Sequence, residues 1–114
     1  MPNDEIMAIR DRFVEQLSPL QIYLFGSYAY GVPDEDSDYD FYIVVDDSRS
    51  NTHEEAVRAY RAIRHQRTRP VDIVVGTRSQ FEKRRQWYAS IERDVFGKGV
   101  LLYDALGSTV SALA

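Results

Sequence analysis

Cysteine is absent from all 114 positions, so the chain forms neither a disulfide framework nor a thiolate metal site. Histidine is scarce: His53 stands alone at a predicted helix start and His65 alone in a basic run, and both read as surface residues. There is no secretory signal, no apolar run long enough to cross a bilayer, no low-complexity segment and no internal repeat. These absences are compatible with a cytoplasmic location and point away from a membrane partner. A chain of this length with 44% hydrophobic residues supports one core, burying about 65% of the unfolded surface. One domain is expected over residues 1–104, followed by an uncharged tail, 105–114, that frays or docks onto a partner.

Positive charge is short in the first part of the chain. Residues 1–47 carry two bases against eleven acids and residues 48–114 carry twelve against seven, net −9 and +5 within an overall −4. The cluster Asp34, Glu35, Asp36, Asp38 and Asp40, with Asp46 and Asp47, repels a nucleic-acid backbone, so direct nucleic-acid binding is not expected. Two basic runs, Arg61, Arg64, Arg67 and Arg69, then Lys83, Arg84 and Arg85, read first as solvated helix faces; triphosphate oxygens or an acidic partner are the alternative.

What is present is concentrated between Gly26 and Asp40, in GSYAYGVPDEDSDYD. A Gly-Ser pair is followed, after ten residues, by two aspartates one residue apart, and the apolar runs Ile22–Phe25 and Phe41–Val45 predict a strand on either side. On a strand, residues i and i+2 share a face with their Cα atoms about 6.6 Å apart. Asp38 and Asp40 can therefore converge on a hard cation, and oxygen ligands with open positions suit Mg2+. Two such ions, about 3.5–4 Å apart, clamp the attacking and leaving oxygens of an in-line displacement. The bland alternative is a solvated acidic turn. Against it stands Asp72, a single charge in the otherwise apolar Val71–Val75 run, which joins the same face if the two strands are neighbours. Its own bland readings are an edge aspartate facing water or one paired with Arg69. Gly26-Ser27, where a strand passes into a short helical turn, offers backbone N–H groups and a small hydroxyl to an anion.

Gly26-Ser27, the ten-residue gap, Asp38-x-Asp40 and Asp72 together resemble the DNA polymerase beta-like nucleotidyltransferase superfamily. Gly26-Ser27-Tyr28-Ala29-Tyr30-Gly31 followed by Ser37-Asp38-Tyr39-Asp40 is similar to the GSxARGxxxxxSDxDL signature of its minimal members, the antitoxins of HEPN/MNT toxin–antitoxin pairs. The similarity runs from about Leu20 through Tyr103. It implies a polymerase beta-like palm fold, two Mg2+ ions at Asp38, Asp40 and Asp72, activation of an acceptor hydroxyl by Asp72, and the triphosphate of ATP gripped at Gly26 and Ser27, while Tyr28 and Tyr30 lie in the same nucleotide loop. Two positions depart from the pattern: Tyr30 stands where arginine is frequent, removing a fixed positive charge from the nucleotide loop, and Phe41 conservatively replaces leucine.

The remaining elements follow from periodicity. Ile6, Ile9, Phe13 and Leu17 form one stripe of a helix from Asp4 to about Leu17; Thr52 and Glu55 suggest a capping box opening a helix to about Gln66, with Ala56, Tyr60 and Ile63 inward. Thr77 and Gln80 repeat that signature for a helix over about 78–93, with Phe81, Tyr88, Ile91 and Val95 inward, before a strand at Val100–Tyr103. Tyr60, Tyr88 and Tyr103 read as core residues, whereas Tyr28 or Tyr30 is placed to stack on a base or touch a partner. The expected class is α/β (α+β), a small mixed sheet of about four strands with helices packed against it.

The resemblance implies a macromolecular acceptor. With eleven residues after Tyr103, the acceptor surface is expected from a second subunit or from the acceptor itself. The leading expectation is an antitoxin that transfers AMP from ATP to a tyrosine of a cognate HEPN-type RNase toxin. The alternatives are a catalytically silent antitoxin that neutralises the toxin by covering it, and transfer to a small molecule or RNA. A homodimer and a hetero-oligomer with the toxin both remain open.

Overall fold

A strand buried on both faces must be apolar in both phases, and Tyr39–Val45 (YDFYIVV) comes closest to that in this chain; it forms a central strand with only Asp40 not buried. The computed structural model describes residues 3–106. Their order is α1 (Asp4–Leu17), β1 (Gln21–Phe25), α2 (Ser27–Tyr30), β2 (Tyr39–Val45), α3 (Thr52–Ala62), β3 (Val71–Thr77), α4 (Arg78–Arg84), α5 (Ile91–Lys98) and β4 (Val100–Asp104). The strands form one mixed sheet in the order β3-β2-β1-β4, with β2 and β3 parallel and the other pairs antiparallel. The expected mixed α+β class and strand number are what the structure has.

Alternation along each strand divides the core in two. Ile22, Leu24, Tyr39, Phe41, Ile43 and Val45 face α1 and α3, where they meet Ile6, Ile9, Phe13, Leu17, Ala59 and Ile63. Tyr23, Phe25, Tyr42 and Val44 face Phe81 of α4 and Val95 of α5. The α1 stripe is buried as the periodicity predicts, and Asn3 caps the helix by accepting a hydrogen bond from the Ile6 amide. Thr77 and Gln80 form the expected capping box of α4. His53 and His65 are exposed.

Three local expectations need correction. The cap of α3 is Asn51, whose side chain accepts from the Glu54 amide, and the helix ends at Ala62 rather than near Gln66. Ile63, just past that end, is buried as expected, but the other inward positions are Glu55, Ala59 and Ala62 in place of Ala56 and Tyr60; Tyr60 is 40% exposed, though its hydroxyl accepts a hydrogen bond from the Ile73 amide. Glu55 is buried because Arg49 and Arg58 pair with it, at 2.5 and 3.3 Å. The single helix expected over about 78–93 is two helices, with residues 85–90 between them: α4 ends at Arg84, and the Ser90 hydroxyl accepts from the Arg93 amide to cap α5 and donates to the Arg84 carbonyl. The break resets the helical phase. Tyr88 and Ile91, expected inside, are 92% and 41% exposed, while Phe81 and Val95 remain buried.

The break also creates a buried polar pair. Tyr42 donates a 2.8 Å hydrogen bond to Glu92, which is 4% exposed. Burial, and then this bond, push the Tyr42 hydroxyl well above its usual range. Glu92→Ala leaves the phenol without its partner and is expected to cost about 3 kcal/mol, read as a lower urea midpoint. Glu92→Leu combined with Tyr42→Phe removes both polar groups and is expected to recover part of that loss.

Residues 107–114, most of the segment read as a tail, lie outside the described residues. The first residue of that segment is held, with the Ala105 amide donating to the Leu20 carbonyl at 2.7 Å. Among the described residues no helix is long and apolar enough to cross a membrane.

Candidate active site

Strand direction assembles the site. Because β1 and β2 are antiparallel, Phe25 at the end of β1 lies opposite Asp40 near the start of β2; because β2 and β3 are parallel and in register, Asp72 lies beside Asp40. One edge of the sheet thus brings together the Gly26 turn and two carboxylates from separate parts of the chain. Asp38 lies just before β2, two residues from Asp40, and is partly buried. Both Asp40 and Asp72 project on the α4/α5 side of the sheet, the phase of Tyr42 and Val44.

The geometry at Gly26 favours glycine. Its φ of 74° and ψ of −155° lie where L side chains are strained, and a Cβ there would sit 2.1 Å from Asp40 Oδ2. The main chain of the turn therefore presses against the carboxylate. From Gly26 the chain enters the single turn of α2, closed by hydrogen bonds from the Ala29 and Tyr30 amides to the Gly26 carbonyl and from Gly31 to Ser27, all 3.0–3.1 Å. Ser27 is the first residue of that turn.

Electrostatic strain gathers on Asp40. Burial, followed by the negative charges of Asp72 and Asp38 and a hydrogen bond with Asp72, pushes its carboxyl up to about 6 from the usual 3.8. Asp72 itself is exposed. The alternative pairing with Arg69 is not what the fold makes: Arg69 donates to the carbonyls of Ser37 and Asp34, at 3.3 and 3.5 Å, and lies over the rings of Tyr28 and Tyr39, at 5.5 and 5.3 Å. It thereby ties the acidic loop before Asp38 to the start of β3.

Among the described residues no group of three Asp, Glu or His side chains is placed to hold a metal ion together. Asp40 and Asp72 make an open, all-oxygen and mutually repelling pair, with the charge of Asp38 acting on Asp40 as well. That fits Mg2+, which binds through one or two carboxylates and completes its shell with phosphate oxygens and water.

The two tyrosines of the loop differ. Tyr28 packs edge-on against Tyr39, 4.7 Å between centroids, and is partly buried; Tyr30 is 46% exposed, with the Lys98 ammonium 5.9 Å above its ring. Asp46 and Asp47 follow the opposite end of β2 and serve turns there, accepting from the amides of Ser48 and Ser79 at 2.9 Å each. They belong to the acidic composition but not to the site.

Sequence reasoning missed two contributors and gave a third other partners. Glu5, in the first turn of α1, accepts from the Tyr39 hydroxyl at 2.6 Å and the Thr68 amide at 2.5 Å, bracing both strand starts that carry the aspartates. Burial alone raises the Glu5 carboxyl, but the hydrogen bonds from Tyr39 and Thr68 outweigh it and hold the group below its usual range. Lys98 is the second. Arg69 was named in the sequence, immediately before Pro70 and the Asp72 strand, but as a partner of Asp72 or of a triphosphate and not of the Ser37 and Asp34 carbonyls.

The family model of the nucleotidyltransferase domain matches residues 6–102, a span that contains the Gly26 turn and all three aspartates. The chain belongs to this family. No match was found among curated proteins. In structure this nucleotidyltransferase domain is similar to a Sulfolobus solfataricus protein described as a nucleotidyltransferase, with a TM-score of 0.62 at 21% identity over 90% of this chain and 80% of that one. It is also similar to a toxin–antitoxin structure with AMP-PNP, with a TM-score of 0.54 and 23% identity over 90% and 74% of the two chains. A mutant of the toxin–antitoxin MntA–HpeT, in which two aspartates one residue apart are changed to glutamate, gives a TM-score of 0.54 and 21% identity over the same shares. At these identities the likeness is one of fold, and the nucleotidyltransferase assignment rests on the family match.

Proposed function

We propose that this chain is an antitoxin that transfers AMP from ATP to a tyrosine hydroxyl of a cognate HEPN-type RNase toxin. The observation that carries the reading is the register of Asp72 with Asp40 on the sheet edge where the Gly26 turn touches Asp40. Nucleotide and partner are suggested by the similar folds: one toxin–antitoxin structure holds AMP-PNP, and another alters two aspartates with the spacing of Asp38 and Asp40.

In this reading Asp38, Asp40 and Asp72 hold two Mg2+ ions, which supply charge neutralisation at the attacking and leaving oxygens. Gly26 and Ser27 bind the triphosphate, and the absence of a side chain at Gly26 lets the phosphates approach the main chain beside Asp40. Asp72, exposed at the rim, accepts the proton of the incoming tyrosine. The phenolic oxygen forms a bond to the α-phosphorus, the bond from that phosphorus to the α,β-bridging oxygen breaks, and pyrophosphate leaves. Because the acceptor arrives from outside, an exposed base suits it better than a buried one.

Mass spectrometry of the toxin after incubation with this protein, Mg2+ and ATP tests the proposal, alongside Asp38→Asn and Asp40→Asn. One or more AMP adducts on a toxin tyrosine are expected, lost in both variants and on chelation of Mg2+. Neutralisation of toxicity that survives both substitutions with no adduct would sink it in favour of a binding module; transfer that needs no protein partner would favour a small-molecule or RNA acceptor.

A further inference from the structure

We infer that Lys98 is a triphosphate-binding residue, supplying across the fold the cation that the nucleotide loop lacks. The inference rests on the nucleotide reading above and adds to it a residue outside the motif. From Gly26 to Asp40 there is no lysine or arginine and there are five acids. A nucleoside triphosphate remains anionic after binding one Mg2+, so it enters this loop against like charge unless a cation is nearby.

Topology brings one there. The strand order β3-β2-β1-β4 places Asp72, Asp40, the Gly26 turn and the start of β4 in succession along one edge of the sheet. Lys98 is the last residue of α5, and Val100 two positions later pairs with Leu24, two positions before Gly26. Gly99 makes this approach close: a Cβ there would lie 2.4 Å from the Val95 carbonyl oxygen and 3.0 Å from that of Leu24. The end of α5 is thus pressed onto the β1 backbone just before the turn. From this anchor the Lys98 side chain reaches back over α2, placing its ammonium 5.9 Å above the ring of Tyr30.

Two cations lie against the rings of this loop, and they differ in what else holds them. Arg69 is engaged by two carbonyls and two rings. Lys98 is exposed and forms no ion pair with an acid among the described residues, and its flexible stem can carry the ammonium from the ring to a phosphate on the same turn. Because the contact is to phosphate, it discriminates nucleotides by their phosphate tail rather than their base.

Isothermal titration of Mg·ATP and of AMP into the wild type, Lys98→Met, Lys98→Arg and the exposed control Lys83→Met tests this. Lys98→Met is expected to weaken Mg·ATP about tenfold or more and to leave AMP within about twofold, with the ATP loss shrinking at high salt. Lys98→Arg retains most of the affinity and Lys83→Met all of it. If the wild type binds Mg·ATP and Lys98→Met binds it equally well, or loses ATP and AMP alike, the role assigned to Lys98 is wrong while the nucleotide reading stands. If the wild type binds no Mg·ATP, the nucleotide reading fails and the inference falls with it.

Discussion

Asp40→Asn is expected to lower AMP transfer about a thousandfold and, in the absence of metal, to make the protein more stable rather than less. The two effects share one cause. Asp40 is partly buried next to Asp72 and Asp38, and its carboxyl titrates at about 6 instead of 3.8. The folded state therefore holds this proton more tightly than the unfolded chain does, and stability falls as pH rises from about 4 through about 6. Above that window the ionised group opposes folding, and asparagine removes the charge while keeping the shape. Thermal unfolding in EDTA checks it: the variant should melt above the wild type at pH 8, with the difference gone near pH 4. Mg2+ should raise the wild-type melting temperature much more than that of the variant. A variant that melts lower than the wild type at pH 8 in EDTA would show that Asp40 is held by favourable partners, contrary to this account.

Gly26→Ala is expected to be nearly as damaging to activity, through geometry instead of charge. The added methyl would lie 2.1 Å from Asp40 Oδ2 in a residue with φ of 74°. Either the carboxylate swings away from Asp72 or the turn opens, and the backbone strain adds about 1–3 kcal/mol of destabilisation. Transfer should fall by more than about a hundredfold, with the chain still folded. Gly97→Ala is the matched control. That glycine lies inside α5 with nothing within 4 Å of an added Cβ, and the change should stabilise the protein by about 0.5–1 kcal/mol without affecting transfer. Circular dichroism melts and the mass-spectrometric assay read both variants. Equal activity of Gly26→Ala and wild type would separate the turn from the chemistry.

Where periodicity and local capping decide an element, it was legible. The α1 stripe of Ile6, Ile9, Phe13 and Leu17 and the Thr77/Gln80 capping box appear as read, because each depends on residues within a turn or two of one another. The helix break at Ser90 was missed because Phe81, Tyr88, Ile91 and Val95 also fit one continuous stripe. The second helix starts afresh at Ser90, whose hydroxyl caps it while bonding back to the Arg84 carbonyl at the end of α4, and Ser90 followed by Glu92 and Asp94 was a readable start signal. The inward face of α3 was misjudged for a different reason: Glu55 is excluded by charge alone and becomes a buried position only because Arg49 and Arg58 reach it.

For the site, the amino-acid sequence alone determined which atoms are available and their local spacing: Gly26-Ser27 before a turn, and Asp38 and Asp40 two residues apart at the entry to a strand. The tertiary structure decided who joins them. Asp72 meets Asp40 only because β3 lies parallel to β2 in one particular register, and a slip by one residue would turn it to the other face. Arg69 is drawn to the acidic loop by the same pairing, and Lys98 reaches Tyr30 because β4 adds to the far side of β1 and presses the end of α5 onto it. Register and strand order are set by how both faces of the sheet bury their side chains against helices from distant parts of the chain. That is a property of the whole core, and no single segment encodes it.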